Sequence, residues 1–191
     1  MKGMANMNKV ILASQSPRRK ELLSLIGIEF DAIPADIDEQ IDLNNDLVKE
    51  IEKLSYQKAF HVFKDHKDAL VIGSDTIVKI NNQVLGKPKS YEQAKNMLEI
   101  LSGKTHEVVT AVTILVDDKV ETFSSIAKVT FYQLTPQEID EYIKTNEPMD
   151  KAGAYAIQGL GAKFVKAIEG DYYTIMGLPI GELYQRLKKF Q

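Results

Sequence analysis

Two arginines, Arg18 and Arg19, follow a short apolar run, and their position predicts an anion-binding site. Residues 9–13 have β-strand character, and a helical pattern begins at Pro17 with Ser16 placed to cap its first turn. Backbone N–H groups at a helix start attract anions, and guanidinium groups bind phosphate oxygens in a bidentate manner. Arginines in a first turn oppose the helix dipole, which favours a bound anion. The segment alone leaves open a solvated basic turn in which Ser16 and Pro17 act only as caps.

Three carboxylates, Asp36, Asp38 and Glu39, lie just after a predicted strand at residues 28–33. Magnesium and similar hard cations prefer oxygen ligands and take one or two carboxylates from the protein, with the rest from water and substrate phosphates. The segment could therefore bind a divalent cation. Taken alone, it favours the alternative of an acidic loop that leads into the next helix.

Asp75 lies inside a nearly continuous apolar run, ALVIGSDTIVKI, at residues 69–80. Such a run predicts a strand buried on both faces. An ionised carboxylate there is costly unless it binds a cation or accepts hydrogen bonds, and Ser74 and Thr76 supply neighbouring hydroxyls. In the alternative, the strand ends at Gly73 and Asp75 is a turn residue. The apolar residues that follow Asp75 favour a functional carboxylate.

The segment from 46 to 65 predicts a long helix, and Lys58 falls on its apolar face. Positions 51, 54, 58 and 62 follow the three-and-four spacing of one helical face. A lysine that faces the core needs a partner. Either its ammonium reaches water along the flexible stem, or it meets a buried anion.

Two further segments carry single polar side chains in rigid or glycine-rich surroundings. Lys87 lies in Gly86-Lys87-Pro88, where the proline restricts the direction of the chain. Gln158 is the one neutral amide in DKAGAYAIQGLG, residues 150–161, whose glycines would let the backbone approach a planar ligand closely. The glycines could equally serve turns alone.

The order of predicted elements is that of an α/β protein. Predicted strands lie at 28–33, 69–80, 105–116, 120–133 and 164–168, after the first strand at 9–13. Predicted helices span 17–26, 46–65, 90–101, 135–146 and 179–189, and capping boxes are predicted at Ser90 with Gln93 and at Thr135 with Glu138. The turn Asp117-Asp118 predicts a hairpin between the two long strands.

Length and composition restrict the domain organisation, the partners and the types of site that we expect. The chain has 191 residues, which suits a single two-lobed domain over 9–191, with residues 1–8 expected to be disordered. The net charge of −3 gives no support for a nucleic-acid partner, and the absence of cysteine excludes disulfides and thiolate sites. No segment is apolar enough for a signal peptide or a membrane span, so we expect a cytoplasmic protein without a membrane partner.

The polar side chains described above suit a metal-dependent phosphoanhydride hydrolase. Cations would hold a polyphosphate, and carboxylates would hold the metal and activate water. The residues concerned are Arg18, Arg19, Lys58, Lys87, Glu39 and Asp75.

Seven ordered blocks cover nearly the whole chain after residue 8. They read ASQSPRRKELL, DIDE, GSDTIV, LGKP, LSGKTHEVVTAV, DKAGAYAIQG and GDYYTIMGLP. In this order they resemble the Maf family of nucleoside triphosphate pyrophosphatases. The resemblance implies an α/β fold with a long twisted mixed sheet in two lobes with flanking helices, similar to inosine triphosphate pyrophosphatases. It also implies hydrolysis between the α- and β-phosphates with a divalent cation, Mg²⁺ or Mn²⁺.

The resemblance assigns roles to individual residues. Asp75 would be the proton acceptor, and Glu39 and Asp75 would place the metal. The implied phosphate-binding residues are Ser14, Arg19, Lys58 and Lys87, and the implied base-selecting residues are Arg18, Thr76 and Gln158.

Gln158 separates the subfamilies. Its carbonyl can accept from N3–H of uracil or thymine while its NH₂ donates to O4, a pairing that a carboxylate could not complete. The related group that acts on 7-methyl-GTP carries Glu in the matching block, so the chain resembles the dTTP/UTP branch. The alternative function is a nucleotide-binding regulator of septum formation or cell division without essential hydrolysis. A homodimer is possible in either case.

Overall fold

A computed structural model describes residues 9–81 and 83–190 of the chain. The segment 1–8, expected to be disordered, lies outside the described residues. The strands are β1 (Val10–Leu12), β2 (Asp31–Ala32), β3 (Leu70–Ile80), β4 (Gln83–Leu85), β5 (Thr105–Val116), β6 (Lys119–Phe131) and β7 (Val165–Glu169). The α-helices are α1 (Pro17–Leu25), α2 (Leu47–Phe63), α3 (Tyr91–Leu101), α4 (Pro136–Ile143), α5 (Tyr172–Met176) and α6 (Ile180–Leu187).

The strands form one mixed seven-stranded sheet, which confirms the predicted α/β class. Its order is β2-β1-β3-β5-β6-β7, and β4 pairs with β3 off this path. Strand β1 is parallel to both neighbours, with Ile11 opposite Asp31 on one side and Val71 on the other. Strands β4 and β7 run antiparallel to β3 and β6. Parallel pairs beside antiparallel ones are common in large α/β sheets.

The chain divides into two compact units. Unit 1 comprises residues 9–75, 110–125 and 177–190 of the described chain, and unit 2 comprises residues 76–109 and 126–176, apart from residue 82. The chain passes from one unit to the other within β3, β5 and β6. The organisation as a single two-lobed domain stays a prediction.

Each unit has its own apolar core. In unit 1, α2 contributes Ala59, Val62 and Phe63, which pack with Ile11 of β1 and Val71 of β3. The core of unit 2 is built mainly from α3, α4, the strands and the loop that follows α4. Its large side chains include Leu98, Phe131, Tyr142, Tyr155 and Phe164.

The capping box predicted at Thr135 is complete, whereas the one predicted at Ser90 is only half formed. Ser90 accepts a hydrogen bond from the Gln93 backbone at 3.1 Å. Thr135 and Glu138 form a complete capping box at the start of α4. These caps satisfy backbone N–H groups that a helix start leaves without intrahelical partners.

Some predicted boundaries were wrong. The strand expected at 28–33 is reduced to β2, because its ladder pairs only with the short strand β1. The sequence pattern also missed α5, whose aromatic and β-branched residues are poor helix formers. Asp171 stabilises its first turn by accepting hydrogen bonds from the backbone N–H groups of Tyr173 and Thr174.

None of the helices in the described ranges is both long and apolar enough to span a bilayer.

Candidate active site

The link between β1 and α1 holds a pair of serines beside Arg19. Ser16 caps α1 by accepting from the Arg19 backbone N–H, and its own N–H donates to the Ser14 hydroxyl at 3.2 Å. Arg19 Nη1 also donates to the Ser14 hydroxyl, at 3.4 Å. Ser14 is buried. The local turn therefore brings together Ser14 and Arg19, two of the predicted phosphate-binding residues.

A backbone carbonyl in unit 1 fixes the guanidinium of Arg19. Arg19 Nε donates to the carbonyl of Gly177 at 2.8 Å, and the fully buried Ser74 hydroxyl donates to the same carbonyl at 3.1 Å. Gly177 has φ of +102°, a backbone conformation that favours glycine. The orientation of the Arg19 guanidinium thus depends on Gly177 and Ser74, which both lie outside α1.

Lys58, Asp75 and Glu39 form a charged cluster in unit 1. The Lys58 ammonium contacts the Asp75 carboxylate in a short ion pair and the Glu39 carboxylate at 2.7 Å. Lys58 and Asp75 are each 7% exposed, whereas about half of the Glu39 side chain is exposed. Of the two alternatives for Lys58, the structure shows the buried anion. Strand β3 also continues past Asp75, so the alternative of a strand end at Gly73 is wrong.

Close packing of α2 against β3 explains how Lys58 reaches Asp75. A Cβ added at Gly73 would lie 2.3 Å from the Ser55 carbonyl oxygen and 2.6 Å from the Ala59 backbone nitrogen. Both atoms belong to the backbone of α2, so only glycine lets the strand and helix approach this closely. Gly73 therefore brings the lysine of the helix and the aspartate of the strand into contact.

The charged residues of this cluster affect the pKa of Arg19. Burial lowers the pKa of its guanidinium, and Arg18 acts in the same direction, while Asp75 and Glu39 oppose both effects. A guanidinium nevertheless stays protonated at neutral pH. Arg18, Asp75 and Glu39 therefore all influence the charge state of Arg19.

The donor set fits a divalent cation. Within residues 9–81 and 83–190, no group of three or more His, Cys, Asp or Glu side chains is arranged to hold a metal. The carboxylates of Glu39 and Asp75 nonetheless contact the same cation, the Lys58 ammonium. Two carboxylates are what Mg²⁺ commonly takes from a protein when a substrate supplies phosphate oxygens.

The remaining predicted site residues lie in unit 2. Thr76 follows Asp75 in β3 and is half-buried. Lys87 is exposed between β4 and α3, and the carbonyl of its neighbour Gly86 accepts from the Gly153 backbone at 3.1 Å. Gln158 is exposed in the loop after α4. The roles assigned to these three residues stay predictions.

Sequence reasoning missed the structural roles of Gly73 and Gly177. It offered the Ser74 hydroxyl as a partner for Asp75, whereas in the structure that hydroxyl donates to the Gly177 carbonyl. Gly73 carried a usable signal, since glycine inside a buried strand often marks a close backbone approach. The acceptor role of the Gly177 carbonyl left no such signal, because every residue has a backbone carbonyl and the sequence does not mark which one will accept.

Comparisons with known proteins agree with these observations. The family model described as Maf-like protein matches residues 9–190. A dTTP/UTP pyrophosphatase of Bacillus cereus strain ATCC 10987 is 49% identical over 97% of this chain and 91% of its own length. A dTTP/UTP pyrophosphatase of Bacillus cytotoxicus is 49% identical over 96% of both chains.

A solved structure shows the same fold at much lower identity. The HAM1 protein from Coxiella burnetii matches with a TM-score of 0.53 and 14% identity, over 96% of this chain and 98% of that chain. This likeness supports the fold alone. The family match over residues 9–190, together with relatives of about half-identical sequence, shows that the chain belongs to the Maf family.

Proposed function

We propose that this chain is a nucleoside triphosphate pyrophosphatase that hydrolyses dTTP and UTP to the monophosphate and pyrophosphate. The names of its relatives support this substrate class. The observation that carries the proposal is the buried Lys58–Asp75 ion pair, with Glu39 on the same ammonium. Removing such charges from water is costly, and a structural strand does not need them.

The proposed chemistry begins with water activation. Asp75 accepts a proton from the attacking water, whose oxygen bonds to phosphorus while the P–O bond at the α,β-bridging oxygen breaks, and the monophosphate and pyrophosphate are released. Glu39 and Asp75 would hold a divalent cation, Mg²⁺ or Mn²⁺, which supplies charge neutralisation for the triphosphate.

Cationic side chains hold the polyphosphate in this proposal. The Arg19 guanidinium is pre-oriented by the Gly177 carbonyl and the Ser14 hydroxyl. Lys58 has three N–H donors, so it can bind a phosphate oxygen while it contacts the two carboxylates. Lys87 supplies a further cation. A group fixed before the reaction loses little entropy on binding, so it can favour the transition state.

Base selection is assigned to Gln158, with Arg18 and Thr76 as additional specificity residues. A glutamine amide offers one acceptor and one donor side by side, which matches O4 and N3–H of uracil or thymine. Modified pyrimidine nucleotides with the same edge would also be substrates. The proposal places the enzyme in the cytoplasm, without a nucleic-acid or membrane partner, and includes a possible homodimer.

Product analysis tests the proposed function. The full chain is incubated with UTP, dTTP, CTP, ATP or GTP and with Mg²⁺, Mn²⁺ or EDTA, and the products are separated by ion-exchange chromatography. We expect UMP and dTMP with pyrophosphate, little turnover of purine nucleotides, and none in EDTA. Formation of UDP and phosphate, or binding of UTP without hydrolysis, would contradict the proposal, and the second outcome would favour the regulatory alternative.

A further inference from the structure

Glu147, a residue without an assigned role, binds the segment that carries Gln158. Its Oε2 accepts from the Leu160 backbone N–H at 3.0 Å, and its Oε1 accepts from the Gly161 backbone N–H at 3.1 Å. Glu147 Oε1 also accepts from the Tyr142 hydroxyl at 2.8 Å. One carboxylate thus receives hydrogen bonds from two consecutive backbone groups just after Gln158 and from one side chain.

Tyr142 holds the other end of the same segment. Its hydroxyl oxygen accepts from the Ala156 backbone N–H at 3.1 Å, two residues before Gln158. Burial raises the pKa of the Tyr142 phenol well above its ordinary value, and the hydrogen bond to Glu147 acts in the same direction. The hydroxyl therefore stays protonated, donates to Glu147 and accepts from Ala156. Residues 156–161, here called the amide loop, are held at both ends through this Tyr142–Glu147 pair.

Two glycines show how closely the amide loop lies against this pair. A Cβ at Gly159 would lie 2.4 Å from Glu147 Oε2, and a Cβ at Gly161 would lie 2.8 Å from the Tyr142 hydroxyl oxygen. A larger residue at either position would push the loop away from the groups that hold it. The glycines of this segment therefore allow contact with Glu147 and Tyr142, whatever else they serve.

The Glu147 carboxylate is suited to a permanent role as acceptor. Burial raises its pKa, whereas hydrogen bonds from Leu160, Tyr142 and Gly161 lower it, and the net pKa lies below the usual value for glutamate. Hydrogen bonds to an ionised acceptor are about twice as strong as neutral ones. The loop is consequently held more firmly than backbone contacts alone would hold it.

We propose that Glu147, acting with Tyr142, is a positioning residue for base selection, which holds the amide loop so that Gln158 presents its carbonyl and NH₂ in a fixed order. The inference rests on the proposed function, in which Gln158 contacts the pyrimidine. The order of the two groups matters because cytosine carries an acceptor at N3 and a donor at N4, the reverse of uracil. A glutamine amide turned by half a rotation would pair with cytosine instead, so discrimination between UTP and CTP requires a held orientation.

The test compares kcat/KM for UTP and CTP in the full-length Glu147→Gln variant. The new NH₂ group would face a backbone N–H, so one end of the amide loop would lose its acceptor. We expect the UTP/CTP ratio of kcat/KM to fall about tenfold, the effect of one buried hydrogen bond. Both values come from the same sample, so the folded fraction cancels in the ratio. Tyr142→Phe, which frees the Ala156 end, should move the ratio in the same direction.

Glu138→Gln is the matched control. It makes the same chemical change in unit 2, at a carboxylate that accepts from Thr135 at the start of α4 and does not hold the amide loop. We expect it to leave the UTP/CTP ratio at the wild-type value. Amide hydrogen exchange supplies a readout independent of turnover, since the Leu160 and Gly161 amides should exchange faster in Glu147→Gln than in Glu138→Gln.

Gln158→Glu separates failure of the inference from failure of the proposed function. If Gln158→Glu changes the ratio and both Glu147→Gln and Tyr142→Phe leave it unchanged, the positioning role is overturned and the base-reading role stands. If Gln158→Glu also leaves the ratio unchanged, Gln158 does not read the base and the inference falls with that role.

Discussion

The two units hold their functional polar groups in opposite ways. In unit 1, Lys58 contacts Asp75 and Glu39, so buried charges are balanced by charges of the other sign. In unit 2, the predicted base-reading group is a neutral amide, and the nearby Glu147 carboxylate is satisfied mainly by backbone and hydroxyl donors. Ion pairing thus holds the Lys58 cluster of unit 1, whereas hydrogen bonds hold the amide loop of unit 2.

This difference follows the chemistry that each unit is proposed to perform. A triphosphate and a divalent cation carry full charges. Side chains that already form ion pairs can exchange their partners for such charged ligands. A uracil base carries only donors and acceptors, which neutral groups read by direction. Substitutions in unit 1 should therefore affect stability and activity mainly when they change the charge of a side chain. Substitutions in unit 2 should do so when they introduce a new charge or release a hydrogen-bonding group from its orientation.

Lys58→Met should produce the largest loss of stability, because it removes the charge balance of unit 1. Asp75 would be left as a buried carboxylate without its cation, and breaking a buried pair in this way costs about 3–5 kcal/mol of unfolding free energy. Urea denaturation measures this change. Lys95→Met, at the half-exposed ion pair with Asp140 in unit 2, is the matched control and should have little effect. Equal losses in both variants would mean that burial of the pair is unimportant.

His106 tests how the core of unit 2 responds to a new charge. It is 2% exposed, its Nε2 lies 2.8 Å from the Tyr155 hydroxyl, and its Nδ1 has no hydrogen-bond partner among residues 9–81 and 83–190. Burial lowers the pKa of His106 to about 4. Because the unfolded chain has a histidine pKa of about 6.5, it binds more protons than the folded chain between these values.

Stability should therefore rise with pH across this window. The contribution is complete above about pH 6.5, is lost as the pH falls to about 4, and amounts to about 3 kcal/mol. The measurement is the unfolding free energy of wild type and His106→Gln from pH 7.5 to 4.5. The difference between the two proteins should shrink as the pH falls, whereas a constant difference would show that His106 does not couple folding to protonation.

Ser74→Ala should produce the smallest effect, because it removes one neutral contact in unit 1. Loss of the hydrogen bond to the Gly177 carbonyl costs about 1 kcal/mol of stability. Arg19, which shares that carbonyl, would be held less firmly, so KM for UTP should rise more than kcat falls. Ser55→Ala removes a buried hydroxyl that pairs with Thr113 and lies outside the Arg19 contacts. Identical kinetics in the two variants would contradict a role for Ser74 in orienting Arg19.

Local signals predicted much of this architecture. The helical spacing placed Lys58 on the core side of its helix, with water or a buried anion as its partner, and the apolar run favoured a functional carboxylate at Asp75. The structure pairs these two side chains. Helix caps and turns could also be predicted from the sequence, as at Thr135 with Glu138, because they depend on residues close in sequence.

Contacts between distant segments could not be predicted in this way. The Gly177 carbonyl lies 158 positions from Arg19, and a backbone oxygen leaves no pattern of residue types from which its partner could be predicted. Glu147 lies in no pattern that the sequence analysis singled out, because its role depends on the path of the chain thirteen residues later. Such contacts depend on tertiary packing, which hydrophobic periodicity does not encode.

The most direct test of the central claim compares wild type, Asp75→Asn and Asp31→Asn on UTP. Pyrophosphate release is measured together with UTP binding, and Asp31 is a matched control because it is an aspartate of unit 1 in an exposed ion pair with Lys9. We expect Asp75→Asn to bind UTP but to lose roughly 10²–10⁴-fold in kcat, the usual contribution of a general base, while Asp31→Asn retains wild-type turnover. Pyrophosphate release by Asp75→Asn at the wild-type rate would contradict the assignment of Asp75 as the proton acceptor.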